Sequence, residues 1–194
     1  MSGVVLDGAT PIAGAGVEVT AGALGRQAVS TDANGHYSLS LDGGGGGVRV
    51  LVQHDGYFSE LRDLGVYGDM TKDFWLQPIA HLSDGSLLAL TIPGTGTLNH
   101  PTCFMPGEEG YEESPCRKFL FNAVADGTLD AIMQSPSIWS GIDLIAPDGS
   151  YATVMGKGGR RVSMAVRAGL SYEIRVVNFD SVAVTLALQV VSRR

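Results

Sequence analysis

No long apolar run occurs in this sequence. Nothing approaches the roughly 18–20 consecutive apolar residues of a helical membrane span, so membrane insertion is not expected. Nor does any segment repeat apolar residues at i, i+3, i+4 and i+7 over three turns, so helix content should be very low. Basic residues are few: 13 Lys and Arg stand against 20 Asp and Glu, for a net charge of −7. The local basic pairs are Arg117-Lys118, Arg160-Arg161 and Arg193-Arg194. Nucleic-acid affinity comes largely from neutralising phosphates with a basic face. Nucleic acid is therefore excluded as a partner, and so is an anionic membrane surface.

Catalytic patterns are missing too. The four histidines, His36, His54, His81 and His100, are far apart, so no His-Glu-x-x-His zinc arrangement exists. There is no Gly-x-Ser-x-Gly nucleophile elbow, and a serine triad would have to assemble from distant residues. The expectation is that the chain is not an enzyme, with a small hydrolase as the last alternative. The glycine run Gly43–Gly47 lacks the helix and Lys-Ser/Thr pair of a phosphate loop, because a strand pattern starts at Val48. It reads as a hairpin loop.

What the sequence does have is period-two alternation, the mark of strands with one buried face. Val17 and Val19 show it first, then Tyr37, Leu39 and Leu41, then Val48, Val50 and Val52, then Phe74 and Leu76. A second set comprises Leu88, Leu90 and Ile92; Phe119 and Phe121; Leu129, Ala131 and Met133; Ile142 and Leu144; Val162, Met164 and Val166; and Tyr172, Ile174 and Val176. A long last strand is expected to align Val182, Val184, Leu186, Leu188 and Val190, and to be the edge most open to self-association. Turns such as Asp32-Ala33-Asn34-Gly35 and Pro147-Asp148-Gly149 separate the runs. The fold class expected is all-β, as two tandem antiparallel β-sandwich domains, residues 1–78 and 79–194, with 79–86 as the joint.

The two cysteines, Cys103 and Cys116, share one irregular segment. Two free thiols are one reading. The other is a disulfide, whose loop closure stabilises a fold by roughly 3 kcal/mol in the chain-entropy model and which implies an oxidising compartment. Between them lie Glu108, Glu109, Glu112 and Glu113. These carboxylates offer the oxygens that calcium takes; a solvated acidic loop is the plainer reading. A second acidic group is Asp55, Glu60, Asp63, Asp69 and Asp73, while Asp143 and Asp148 read as turn formers. Flat exposed rings bind sugars. Trp139, among small polar residues, is the first candidate, followed by Trp75 and by Tyr111 in the cysteine segment; burial of both tryptophans in cores is the alternative.

Two family resemblances emerge from ordered motifs. Gly3-Val4-Val5, Asp7-Gly8, Pro11-Ile12-Ala13-Gly14-Ala15, Val17-Glu18-Val19, Thr31-Asp32-Ala33-Asn34-Gly35-His36-Tyr37-Ser38-Leu39 and Gly56-Tyr57 make residues 2–78 resemble the carboxypeptidase regulatory-like family. That resemblance implies a transthyretin-like sandwich without catalytic residues, used as an accessory module in exported proteins. Residues 117–191 are similar to the bacterial pre-peptidase C-terminal domain, a jelly-roll-like sandwich appended to secreted enzymes. The similarity rests on Phe119, Phe121, Asp126-Gly127-Thr128-Leu129, Asp143-Leu144, Pro147-Asp148-Gly149, Val166-Arg167-Ala168-Gly169 and Tyr172-Glu173-Ile174-Arg175-Val176. The Cys103–Cys116 segment departs from that family.

Both resemblances imply an extracellular or cell-surface location. The opening Met1-Ser2-Gly3-Val4-Val5 has no charged region followed by an apolar one, so a signal peptide is expected to be missing from this stretch. The functional expectation is a non-catalytic accessory or structural module of an exported protein. The alternative is a module binding polysaccharide or a protein surface.

Overall fold

The computed structural model describes residues 1–22, 26–41, 46–95, 100–103 and 114–194. All regular structure among them is β, and no helix is long and apolar enough to cross a membrane. The chain divides into two compact units, Met1–Pro78 and Ile79–Arg194.

In the first unit the strands are β1 (Ser2–Asp7), β2 (Thr10–Pro11), β3 (Gly16–Gly22), β4 (Gln27–Ser30), β5 (His36–Ser38), β6 (Gly46–Gln53), β7 (Tyr57–Phe58), β8 (Glu60–Val66), β9 (Phe74–Trp75) and β10 (Gln77–Pro78). One sheet has the order β4-β3-β6-β8; the other has β2-β1-β5 with β9 parallel to β1, and β10 pairs with β7. Alternation places Val17, Val19, Val48, Val50 and Val52 on one inner face, against Val5, Tyr37, Phe74 and Leu76. The Asp32 to Gly35 turn forms as its residues dictate. The Asp32 carboxylate accepts the backbone N–H groups of Asn34 and His36, and Gly35 takes φ +74°.

The second unit contains β11 (His81–Leu82), β12 (Leu87–Ile92), β13 (Thr102–Cys103), β14 (Ser114–Asn122), β15 (Gly127–Ser135), β16 (Ser140–Ile145), β17 (Tyr151–Met155), β18 (Gly158–Val166), β19 (Ser171–Asn178) and β20 (Val184–Arg193). Its two sheets run β12-β20-β15-β18 and β11-β14-β19-β16-β17, with β13 also on β14. Leu129, Met133, Leu188 and Ile92 from the first meet Ile142, Leu144, Ile174 and Phe121 from the second in one core. Burying such alternating rows between two sheets supplies the main driving force for this fold.

Three expectations are corrected here. The last strand is interior: β20 lies between β12 and β15, so it offers no edge. Val182 does not belong to it. Val182 is exposed in a bend whose carbonyl is captured by Asn178 Nδ2 at 2.9 Å, and the strand starts at Val184. Within the expected joint, His81 and Leu82 instead form β11, parallel to β14.

Candidate functional site

Trp139 lies in the turn between β15 and β16, at one end of the second unit. Ser135, Ser137 and Ser140 lie close to it in sequence, and each is tied down. Ser135 Oγ accepts the Ser137 N–H at 3.1 Å and donates to Ser140 Oγ at 3.0 Å. Ser137 Oγ accepts the Trp139 N–H at 3.0 Å and donates to Asp180 Oδ2 at 2.9 Å. The Trp139 carbonyl accepts the Phe179 N–H at 2.8 Å. The Asp180 carbonyl takes the Thr95 N–H at 2.7 Å, and Asn178 Nδ2 reaches the Pro93 carbonyl at 2.8 Å. Ser135, Ser137, Ser140 and Asn178 are buried, whereas the Trp139 side chain is 55% exposed and its neighbour Ile138 56%. A satisfied polar network of this kind rigidifies the turn, and it holds a large ring in solvent.

The Met155 end of β17 adjoins this turn. Gly156 N–H donates to the Ser140 carbonyl at 3.0 Å, and Met155 pairs with Gly141. Tyr151, Thr153 and Met155 all point away from the core and are exposed, while Ala152 and Val154 pack on it. At about 3.3 Å per residue, Tyr151 stands about 13 Å along the strand from Met155. Tyr151 was not among the sequence candidates. Its signal was the alternation with Ala152 and Val154, which puts an aromatic ring on the solvent side.

The same sheet face carries a row of polar groups. Lys118, Arg175, Asp143 and Thr153 occupy one rung across β14, β19, β16 and β17. They face away from the core defined by Phe119, Ile174 and Leu144. Asp143 is not a turn former, as its position before Pro147 implied. It is fully buried within β16, and among the described residues neither carboxylate oxygen has a hydrogen-bond partner. Desolvation raises its pKa. Thr153 and the Arg175 charge oppose that rise, and Glu173 adds to it. Asp148, in contrast, is a turn former: it accepts the Ser150 N–H and hydroxyl.

The other candidates separate. Trp75 is half-buried between the core residues Phe74 and Leu76, with its indole nitrogen inside the protein. Cys103 and Cys116 form a disulfide, packed with Val177 and Phe179. Glu108, Glu109, Tyr111, Glu112 and Glu113 lie outside the described residues. The second acidic group does not assemble. Glu60 pairs with Arg62, Asp63 takes a two-pronged bond from Arg49, and Asp73 accepts the Val4 N–H. Among the described residues no three metal-ligating side chains converge.

No protein-family model matches the chain, and no curated protein matches its sequence. Among solved structures, it is similar to the pre-peptidase C-terminal domain of a collagenase from Bacillus anthracis. That likeness has 12% identity and a TM-score of 0.43, over 59% of this chain and 95% of the other. It is also similar to a Podospora anserina GH26-CBM35 β-(1,4)-mannanase at 15% identity and TM-score 0.32, over 57% of this chain and 28% of the other. A carbohydrate-binding module of the β-sandwich superfamily matches over 96% of this chain and 87% of its own, at 10% identity and TM-score 0.30. Likeness at this level bears on neither ligand nor activity.

Proposed function

We propose that this chain is a non-catalytic accessory module of an exported protein and that its second unit binds carbohydrate. In this reading residues 1–78 are a carboxypeptidase regulatory-like sandwich and residues 79–194 a pre-peptidase C-terminal-like one. The observation that carries the ligand class is Trp139, a large ring held in solvent by a turn whose own polar groups are internally bonded. An exposed tryptophan costs apolar hydration, and a flexible turn would let it fold back onto the protein. A rigid turn keeps the ring available to stack on the apolar face of a sugar, at a low entropic cost of binding. Tyr151 and Thr153, along β17, extend the surface with a second ring and a hydroxyl. The disulfide supports an oxidising compartment, and hence export.

Intrinsic fluorescence tests the reading. Soluble oligosaccharides should shift the tryptophan emission to shorter wavelength, because stacking removes water from Trp139. The shift should persist in Trp75→Phe and vanish in Trp139→Phe. A shift that survives Trp139→Phe would place the ligand elsewhere.

A further inference from the structure

Among the described residues the strand β12 ends its sheet. The Val190 N–H donates to the Ser86 carbonyl at 2.9 Å, in the register that pairs Leu88 with Leu188 and Leu90 with Leu186. Bonded and non-bonded pairs alternate along an antiparallel ladder. Leu88, Leu90 and Ile92 therefore bond to β20, and the N–H and C=O groups of Leu87, Ala89 and Thr91 point out of the sheet. The 2.9 Å contact between the Thr91 and Thr185 hydroxyls agrees, since side chains come closest at non-bonded pairs. The side chains of Leu87, Ala89 and Thr91 are exposed, Leu87 by 70%. Native edges are commonly blunted by charge, proline or a bulge. The segment Leu-Leu-Ala-Leu-Thr-Ile has none of these within it.

We propose that β12 pairs antiparallel with β12 of a second copy of this chain, about a two-fold axis at Ala89. Ala89 then faces Ala89 of the other copy, and Leu87 faces Thr91. Each of these pairs can exchange both backbone hydrogen bonds, because all three residues present their N–H and C=O outward. A second copy fits because the strand reads nearly alike in both directions from Ala89. Leu88 and Leu90 flank it symmetrically, and both are only half-buried against the core. In the pair, Leu88 of one copy stands opposite Leu90 of the other, and each covers the other. The strand holds no charge to repel its copy. The acidic side chain nearest in sequence, Asp84, lies before the strand and accepts the Ser192 N–H. Two sheets so joined form one continuous sheet, the arrangement of isologous dimers.

Sedimentation of the whole chain from micromolar to millimolar concentration tests this, with Ala89→Pro as the variant. The Ala89 N–H points away from β20 in this register, so proline is tolerated there as at other edge positions. The wild type should rise from 20.3 kDa towards twice that mass, while Ala89→Pro stays monomeric with an unchanged melting temperature. Should Ala89→Pro not fold, Ala89→Lys, which sets like charges together on the axis, takes its place with the same expectation. A wild type that remains monomeric at millimolar concentration overturns the proposal. So does a dimer that survives in the folded variant.

Discussion

The Phe179 backbone N–H donates to the Trp139 carbonyl at 2.8 Å, joining the turn that carries the exposed ring to the strand end behind the disulfide. Phe179 itself packs on Cys103, Cys116 and Val177. The ring is thus anchored from behind by backbone and from beneath by Ser137.

Ser137 is the part of this anchor that a single substitution removes. Ser137→Ala deletes the acceptor for the Trp139 N–H and the donor to Asp180. Stability should fall by about 1–2 kcal/mol, the usual net worth of such bonds. Urea titration reads the loss. Sugar affinity should fall as well without disappearing, because the ring remains but is less well placed. Unchanged affinity together with lowered stability would show that the anchor serves the fold alone.

Asp143 predicts a dependence on pH. Its folded pKa is raised by desolvation above the unfolded value. The folded state therefore holds the proton more tightly than the unfolded state does. The stability this gives is fully present below the unfolded pKa and is lost as pH rises through the folded one. Melting temperature measured from pH 3 upward should show that loss in the wild type. Asp143→Asn should lack it, so the two proteins diverge as pH rises. Parallel profiles would mean that the carboxyl is not buried as described.

Much of this architecture is legible as alternation. The rows Val17 and Val19, Val48 to Val52, and Ile142 and Leu144 are buried in the places that period two requires. The order of strands is not legible that way. A long apolar row such as Val184 to Val190 looks the same at a sheet's edge or in its middle, and only long-range pairing puts it between β12 and β15. Asp143 escaped for a related reason. The turn that follows it suggested a turn former, and nothing local reveals that this position lies buried inside a strand. Trp139 stood out because it lies between two strand patterns, with Ser137, Ser140 and Gly141 close by in sequence. The network holding it draws on Asn178, Asp180 and Thr95, which are remote in sequence.

The disulfide should be worth about 3 kcal/mol, from the loop-closure entropy of its 13-residue separation. Guanidinium unfolding with and without reductant measures this, and intact mass should drop by about two units on oxidation, one for each thiol hydrogen lost. An equal midpoint in both conditions would show that the bond adds no stability.

Gly35 should resist substitution. At φ +74° a side chain is strained, and a Cβ there would stand 2.8 Å from the Val5 carbonyl oxygen, which cannot move without breaking its bond to the Ile12 N–H. Gly35→Ala should destabilise the first unit by about 1–2 kcal/mol or more. Gly56→Ala provides the comparison, since its φ is also positive but no atom lies near the new Cβ. Equal losses at both positions would assign the cost to backbone strain alone.

The most direct test is affinity electrophoresis of the pure protein through gels containing a panel of polysaccharides, with Trp139→Ala run alongside. The wild type should be retarded by at least one glycan. Trp139→Ala should migrate as it does without glycan while keeping its melting temperature. Equal retardation of both proteins, or no retardation of the wild type by any glycan, would contradict the proposed carbohydrate site.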